Sequence, residues 1–472
     1  MSTSLPFRSN AGPAAGRSRT GLIRTAIAAG FAALGFGLSS APAAADGYAA
    51  YTVYTYNGTP RGMAGRIRDS GGSSITPIRN LKTGLNADPQ VEGVTLSGGG
   101  LRIAVTNRVA PPGAVPPTNI YNATPAGTSP SLFAPTWTNV RNMYGLVRVG
   151  SYLYALDYDN ARVVEINPTN FTQTGVTYTL PASLTPSGYV AHAQAITEIG
   201  GKLYGLFTFA DSSWSSYANS MVVRFTLTGG SSITVGANDR NSGFVGNGFK
   251  LAVNGADLYV AGLGGAQVGG SYNVNSKLQK IAHGAVNLTT ATVTNVLAPS
   301  AANPYEIRDI SFKGSTAYVL WGAYDSGFQM RGKLTSTTNY TSFTTINSFT
   351  AGAPGYYWAA QYTPENDRIW FVRGNQILVY TAASPATPAA TLSLTAGSLI
   401  STGDGYDNIN DFTYVGATSG AAVAIRGYRS PTQISQSPRG QAAREIAQGR
   451  PELTPAERRQ VEQELSRSST GQ

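Results

Sequence analysis

Any chemistry in this chain has to be built from oxygen and nitrogen. It has no cysteine and only two histidines, His192 and His283. That excludes thiolate metal sites and cysteine nucleophiles. The residues best suited to moving protons or gripping an anion are His192, Glu92, Glu306 and Arg308. An imidazole beside a carboxylate makes an acid–base pair, and a guanidinium fork fits carboxylates and phosphates. The two histidines fall in different segments, so a histidine-based metal centre is not expected. The stretch "GDGYDNIND" (403–411) gathers Asp404, Asp407 and Asp411, hard oxygen ligands of the kind Ca²⁺ takes. Its spacing fits neither an EF-hand loop nor a glycine–aspartate nonapeptide repeat, and turn chemistry uses the same residue types. No other cofactor is expected. The chain has no GxSxG elbow, no HExxH and no glycine loop leading into a helix to cradle phosphate.

The elements that must position these residues follow from composition. Charged residues make up 12% of the 472, against 55 Gly, 26 Tyr and 26 Pro. Such a chain is built from turns and aromatic-faced strands, and an all-β fold follows. The formal net charge is +10, but part of it sits in a segment that is expected to be removed. Residues 1–45 hold Arg8, Arg17, Arg19 and Arg24 with no acid, then the apolar run "AIAAGFAALGFGL" (26–38), then "SSAPAAADG". A basic leader, a short apolar stretch and small residues at Ala43 and Ala45 read as a secretory signal peptide cut after Ala45. The apolar run is too short for the roughly 20 residues of a spanning helix. Export to the periplasm, the cell surface or the medium is therefore expected, with no membrane span afterwards. The mature chain keeps 30 basic residues against 24 acidic, and these are scattered. Nucleic-acid binding needs a clustered basic face, so the expected partner is a small molecule, a glycan or a protein.

The far end changes character. Residues 431–472 form a charged tail in which Thr454, Pro455 and Glu457 supply an N-cap, a first-turn proline and a capping-box acid for a short helix. Its apolar stripe, Val461 and Leu465, is thin.

Between these ends, over 46–430, one layout recurs. In "NVRNMYGLVRVGSYLYALDYDNARVVEINP" (139–168) and "TGVTYTL" (174–180), four short strands with period-two alternation are separated by turns. Seven such units align on Glu92, Tyr144, Gln194, Phe249, Arg308, Ala360 and Asn410, with successive intervals of 52, 50, 55, 59, 52 and 50. Four-stranded units at a period near fifty cannot bury their faces alone and must stack around an axis. The expected fold is a seven-bladed β-propeller. "YLYALDYDNARVVEINP" (152–168) resembles the bacterial YVTN-type propeller repeat, and "LYVAG" (258–262) is similar to its first half. The resemblance implies architecture rather than activity. For closure, 411–416 and 421–428 should form the first two strands of the last blade. "YTVYTYN" (51–57) and "SSITPIRNL" (73–81) should supply its third and fourth.

Side chains two apart on a strand share a face, so the aligned position and the one two before it should converge on one mouth of the axis. Those pairs are Gln90/Glu92, Asn142/Tyr144, His192/Gln194, Asn247/Phe249, Glu306/Arg308, Trp358/Ala360 and Asn408/Asn410. Just beyond them the strands turn apolar at Val94, Leu146, Ile196, Leu251, Ile310, Tyr362 and Phe412. A polar funnel above a packed ring is expected, with Glu306, Arg308 and Asp309 beside Trp358, Phe249 and Tyr144 resembling an anion or sugar-ring site. The plainer reading is that these polar groups satisfy strand ends and channel waters. Without a recognisable catalytic set, the expected function is a non-enzymatic exported binding module that uses the mouth or blade loops. One alternative is a funnel-sited hydrolase or lyase, lactonase-like, with His192, Glu92, Glu306 and Arg308 as catalytic candidates. Another is a surface assembly component docking through the C-terminal helix.

Overall fold

Alternating apolar segments such as "YLYALD" and "KLYGLFTF" are buried at every position after the first, which happens when both faces of a sheet are covered. A computed structural model describes residues 47–55, 61–71, 75–85, 87–108, 118–124, 131–266, 270–325, 330–353, 358–393 and 408–416. These residues form seven antiparallel sheets. Their innermost strands are Ala87–Thr95, Met143–Val149, Val190–Ile199, Gly248–Asn254, Glu306–Lys313, Trp358–Thr363 and Asn408–Gly416, here called blades 1 to 7. Neighbouring inner strands pack in that order and blade 7 returns to blade 1. The protein is a seven-bladed β-propeller. Each junction between blades carries its own apolar cluster. Tyr144, Phe207 and Met221 lie in the cluster between blades 2 and 3, and Trp370, Ile377 and Phe412 in that between 6 and 7. At the first of these junctions the inner strands approach so closely that a Cβ on Gly145 would run into Ile196.

Closure pairs the chain's two ends, as expected, but with a different division of strands. Asn408–Gly416 pairs with Gly47–Thr55, which pairs with Arg61–Asp69 and then Ile75–Leu85. The N-terminal segment thus supplies three strands, and its first is the second strand of the blade rather than the third. The overlooked strand, "RGMAGRIRD", lacks the β-branched alternation that marks strands in sequence. It is held by burial of Ala64 and Ile67 and by Arg66, whose Nη1 donates to Asn122 O at 2.8 Å. Residues 421–428 lie outside the described residues.

The inner strands share a local device. In blades 2, 3, 4, 5 and 7 the pairing with the second strand slips by one residue, at Tyr144, Gln194, Phe249, Arg308 and Asn410. These are β-bulges, which leave one residue unpaired and re-aim its side chain. Blades 1 and 6 have no such slip at this level.

If pairing of the two ends closes the ring, deleting residues 46–85 leaves Asn408–Gly416 with an open edge and exposes the blade 7 face of both its junctions. The expected outcome, read by circular dichroism and calorimetry, is loss of cooperative melting. A truncated protein that melts at the parental temperature would refute the role of closure.

Candidate functional site

The inner strand of each blade faces the axis with an unpaired edge, and in several blades side chains of the preceding blade catch its amides. Asp309 Oδ2 accepts from Ala360 N at 2.9 Å and Ser311 Oγ from Tyr362 N at 3.0 Å. Asp411 Oδ2 accepts from Val91 N at 2.8 Å and Thr413 Oγ1 from Gly93 N at 3.2 Å. Asp309 and Asp411 each follow a bulge, so these bonds set the blades in register: Ala360 matches Val91, and Gln361 matches Glu92. The sequence alignment of blade 6 is therefore corrected by one residue. Ala360 and Trp358 leave the converging set, and Gln361 and Ala359 enter it. Trp358 is fully buried in the blade 5–6 core, stacked on Phe349 at 4.9 Å.

The remaining expected residues do gather at the N-terminal ends of the inner strands. They form an enclosed belt rather than an open polar funnel: Glu92, Asn142, Tyr144, His192, Gln194, Asn247, Phe249, Glu306, Arg308 and Asp309 are all buried, and Asn410 is half-buried. Burial obliges the polar groups to pair. Glu306 is ion-paired with Arg308, accepts Asn273 N at 2.6 Å, and Arg308 lies 5.2 Å over the Tyr324 ring. Asp309 does not join that pair. It bonds Lys250 Nζ at 2.8 Å, and burial pushes its carboxyl up against the pull of Lys250 and two backbone amides. Asn247, at φ 51, donates to Gly265 O at 2.8 Å, and Asn410 donates to Pro89 O at 2.8 Å. Phe249 belongs to the blade 4–5 core. Of the calcium candidates, Asp404 and Asp407 lie outside the described residues, while Asp411 is the amide acceptor already described. Among the described residues no group of three or more acids or histidines is placed to hold a metal ion.

The densest chemistry lies at blades 1 to 3. Gln90 Nε2 donates to Asn142 Oδ1, and Asn142 Nδ2 to Asp159 Oδ1 at 3.1 Å. Asp157 ends the second strand of blade 2 and accepts from Asn142 N at 3.2 Å and Asn160 Nδ2 at 2.6 Å. Burial raises its carboxyl to about 6; Asn160 opposes this, and the neighbouring Asp159 adds to it. Next in the chain, Tyr158 stacks on Tyr144 at 4.4 Å and on His192 at 4.6 Å, and Trp214 covers His192 at 4.4 Å. Trp214 is half-buried on the turn 211–216 with φ 60. A bulky residue with that backbone is strained, a condition found at ligand-handling loops. Across the sheet from His192 stands Thr208, whose buried hydroxyl has no partner among the described residues. Sequence reading missed Asp157, Tyr158, Thr208, Trp214 and Lys250. All but Lys250 lie on the second strand of a blade or in the turn that follows it. Only the turn-like "DYDN" and "DSSWSS" could have pointed to them.

No family model matches the chain, and no curated protein matches it by sequence. Solved propellers do. One, from Bacteroides uniformis and provisionally assigned as a 6-phosphogluconolactonase, is 11% identical with a TM-score of 0.51, covering 78% of this chain and 99% of that one. Another with the same provisional assignment, from Bacteroides fragilis, is 12% identical with a TM-score of 0.51, covering 79% and 98%. At these identities the likeness is one of fold. It nevertheless corrects the expectation of a non-enzymatic module, which rested on the absence of a linear catalytic motif. Proteins of the same fold carry provisional hydrolase assignments, so that absence does not argue against catalysis.

Asp157 gives a test of the network. An aspartate ionises near 3.8 when unfolded. Its raised value in the fold means that the stability it contributes is full below that pH and is lost as pH rises through about 6. The loss is roughly 3 kcal/mol. In urea titrations, the stability of the parent minus that of Asp157→Asn should fall by this order between pH 4 and 7. A difference that does not change with pH would overturn the assignment.

Proposed function

We propose that the protein is a hydrolase that opens a lactone, a cyclic ester, at the mouth of its axis. The observation that carries this reading is His192, packed against the rings of both Tyr158 and Trp214, which themselves lie 6.4 Å apart, with the Thr208 hydroxyl on the paired strand. Stacking fixes the imidazole plane, and aromatic faces suit the apolar side of a sugar-like ring. In this reading Thr208 and His192 hold a water, and the imidazole takes its proton as the oxygen attacks the ester carbonyl. The ring C–O bond then breaks, and the departing alkoxide receives that proton, giving the open hydroxy acid. Gln194, two residues on from His192 at the bulge of the same strand, is the group that would face the developing oxyanion. The fold shared with proteins provisionally assigned as 6-phosphogluconolactonases supports the reaction class by analogy only. No metal or other cofactor is required.

The organisation proposed for the chain is an export leader over 1–45, the propeller over 46–430 and a charged tail over 431–472. Among the described residues no helix is long and apolar enough to cross a membrane.

The test is acid release at constant pH from D-glucono-1,5-lactone, by the parent and by His192→Phe, which keeps the stacked ring but removes both nitrogens. His192→Phe is expected to lose about 10²- to 10⁴-fold in kcat with its melting temperature preserved. A parent no faster than buffer between pH 5 and 8, or a variant at full rate, would sink the proposal.

A further inference from the structure

Gln361 is completely buried, and neither its Oε1 nor its Nε2 has a partner among the described residues. A carboxamide enclosed in this way normally finds partners. The interblade amide bonds place it at the register of Glu92, level with Tyr144, Gln194, Phe249, Arg308 and Asn410 around the axis. It shares a face with Ala359, which packs in the blade 6–7 junction, so it is turned toward blade 7. The neighbouring ring member there is Asn410, the half-buried one, where solvent comes closest to the belt. The two cations of the belt offer little to an anion. Arg308 is already paired with Glu306 and Lys250 with Asp309, all four fully or almost fully buried.

We infer that Gln361 is a specificity-determining residue that binds a hydroxyl pair, and that the substrate is a neutral polyhydroxylated lactone rather than a phosphorylated one. This rests on the hydrolase reading above. A carboxamide presents a donor and an acceptor side by side, which neighbouring hydroxyls match because each both gives and takes a hydrogen bond. A phosphate dianion only accepts, so it would leave Oε1 unmatched. It would also have to pull Arg308 or Lys250 away from a buried carboxylate to gain a counter-charge. A site whose buried polar groups await a hydroxyl rejects an analogue that lacks it, because those groups are then left unpaired.

The experiment compares the parent with Gln361→Leu on three probes: D-glucono-1,5-lactone, its 6-phosphate, and δ-valerolactone, which has the ring and no hydroxyls. The parent should prefer gluconolactone over the phosphate. The variant should lose about 100-fold in kcat/KM on gluconolactone, change little on δ-valerolactone, and melt no lower than the parent. Preference for the phosphate, an equal loss on both ring probes, or a lowered melting temperature would each overturn the inference, the last by showing that Gln361 is a structural bond. If the parent turns over none of the three, the hydrolase reading has failed on its own. Calorimetric titration with D-glucitol then decides the hydroxyl-pair site: heat in the parent that is lost in the variant sustains it, and no heat in the parent ends it.

Discussion

The innermost strand of every blade has a hydrogen-bonding partner on one side only. Seven such edges face one axis, and no further strand can enter to pair them. In blades 1, 4, 5 and 6, amides of that edge are instead taken by side chains of the preceding blade: Asp309, Ser311, Asp411 and Thr413 on inner strands, and Ser220 and Ser276 on or beside third strands, receiving Gly248 N at 2.8 Å and Ile307 N at 3.2 Å. These bonds fix the height of each blade against the next. They also explain why two acids that suggest metal or acid–base chemistry in sequence, Asp309 and Asp411, are occupied by the architecture itself.

The same constraint shapes the candidate site. Five of the inner strands carry a bulge at one level, and a bulge turns a side chain out of the strict in-and-out alternation of a strand. Repeated around a ring, it produces a belt in which Tyr144 and Phe249 join junction cores while Gln194, Arg308 and Asn410 bring polar groups to the same level. Polar members of that belt are enclosed and so must be neutralised in place, as Glu306 is by Arg308. Where enclosure is paired with a titratable group and no full counter-charge, as at Asp157, the carboxyl is driven toward neutrality. Where it meets no partner among the described residues, as at Gln361, an unmet hydrogen-bonding capacity is enclosed at a cost.

His192 illustrates how scaffold and chemistry divide the work. Its backbone belongs to the inner strand of blade 3 and its ring is gripped by a tyrosine from blade 2 and a tryptophan from a turn of its own blade. Two blades and a strained turn therefore orient one imidazole. The propeller provides rigid, separately variable ends of strands, and a reaction can be installed without a contiguous motif.

The architecture was legible in the sequence because stacking blades impose a period. Strand patterns returning at intervals of fifty to fifty-nine residues, with both faces apolar, have few ways to bury themselves other than a closed ring, and the orphaned strands at the two ends indicated how it closes. Residues on first strands, such as His192, Glu306 and Arg308, could be picked out because they recur at one register. The strand 61–69 could not, since its burial comes from Met63, Ala64, Arg66 and Ile67, which do not form a β-branched alternation. Nor could the one-residue shift at Gln361: a bulge changes which residue faces the axis without changing the local pattern, and only the hydrogen bonds between blades reveal it. Sequence by itself determined the repeat and the ring. Tertiary structure decided which side chains meet, because pairing, burial and charge at the axis depend on contacts between blades some fifty residues apart, and at closure on the two ends of the chain.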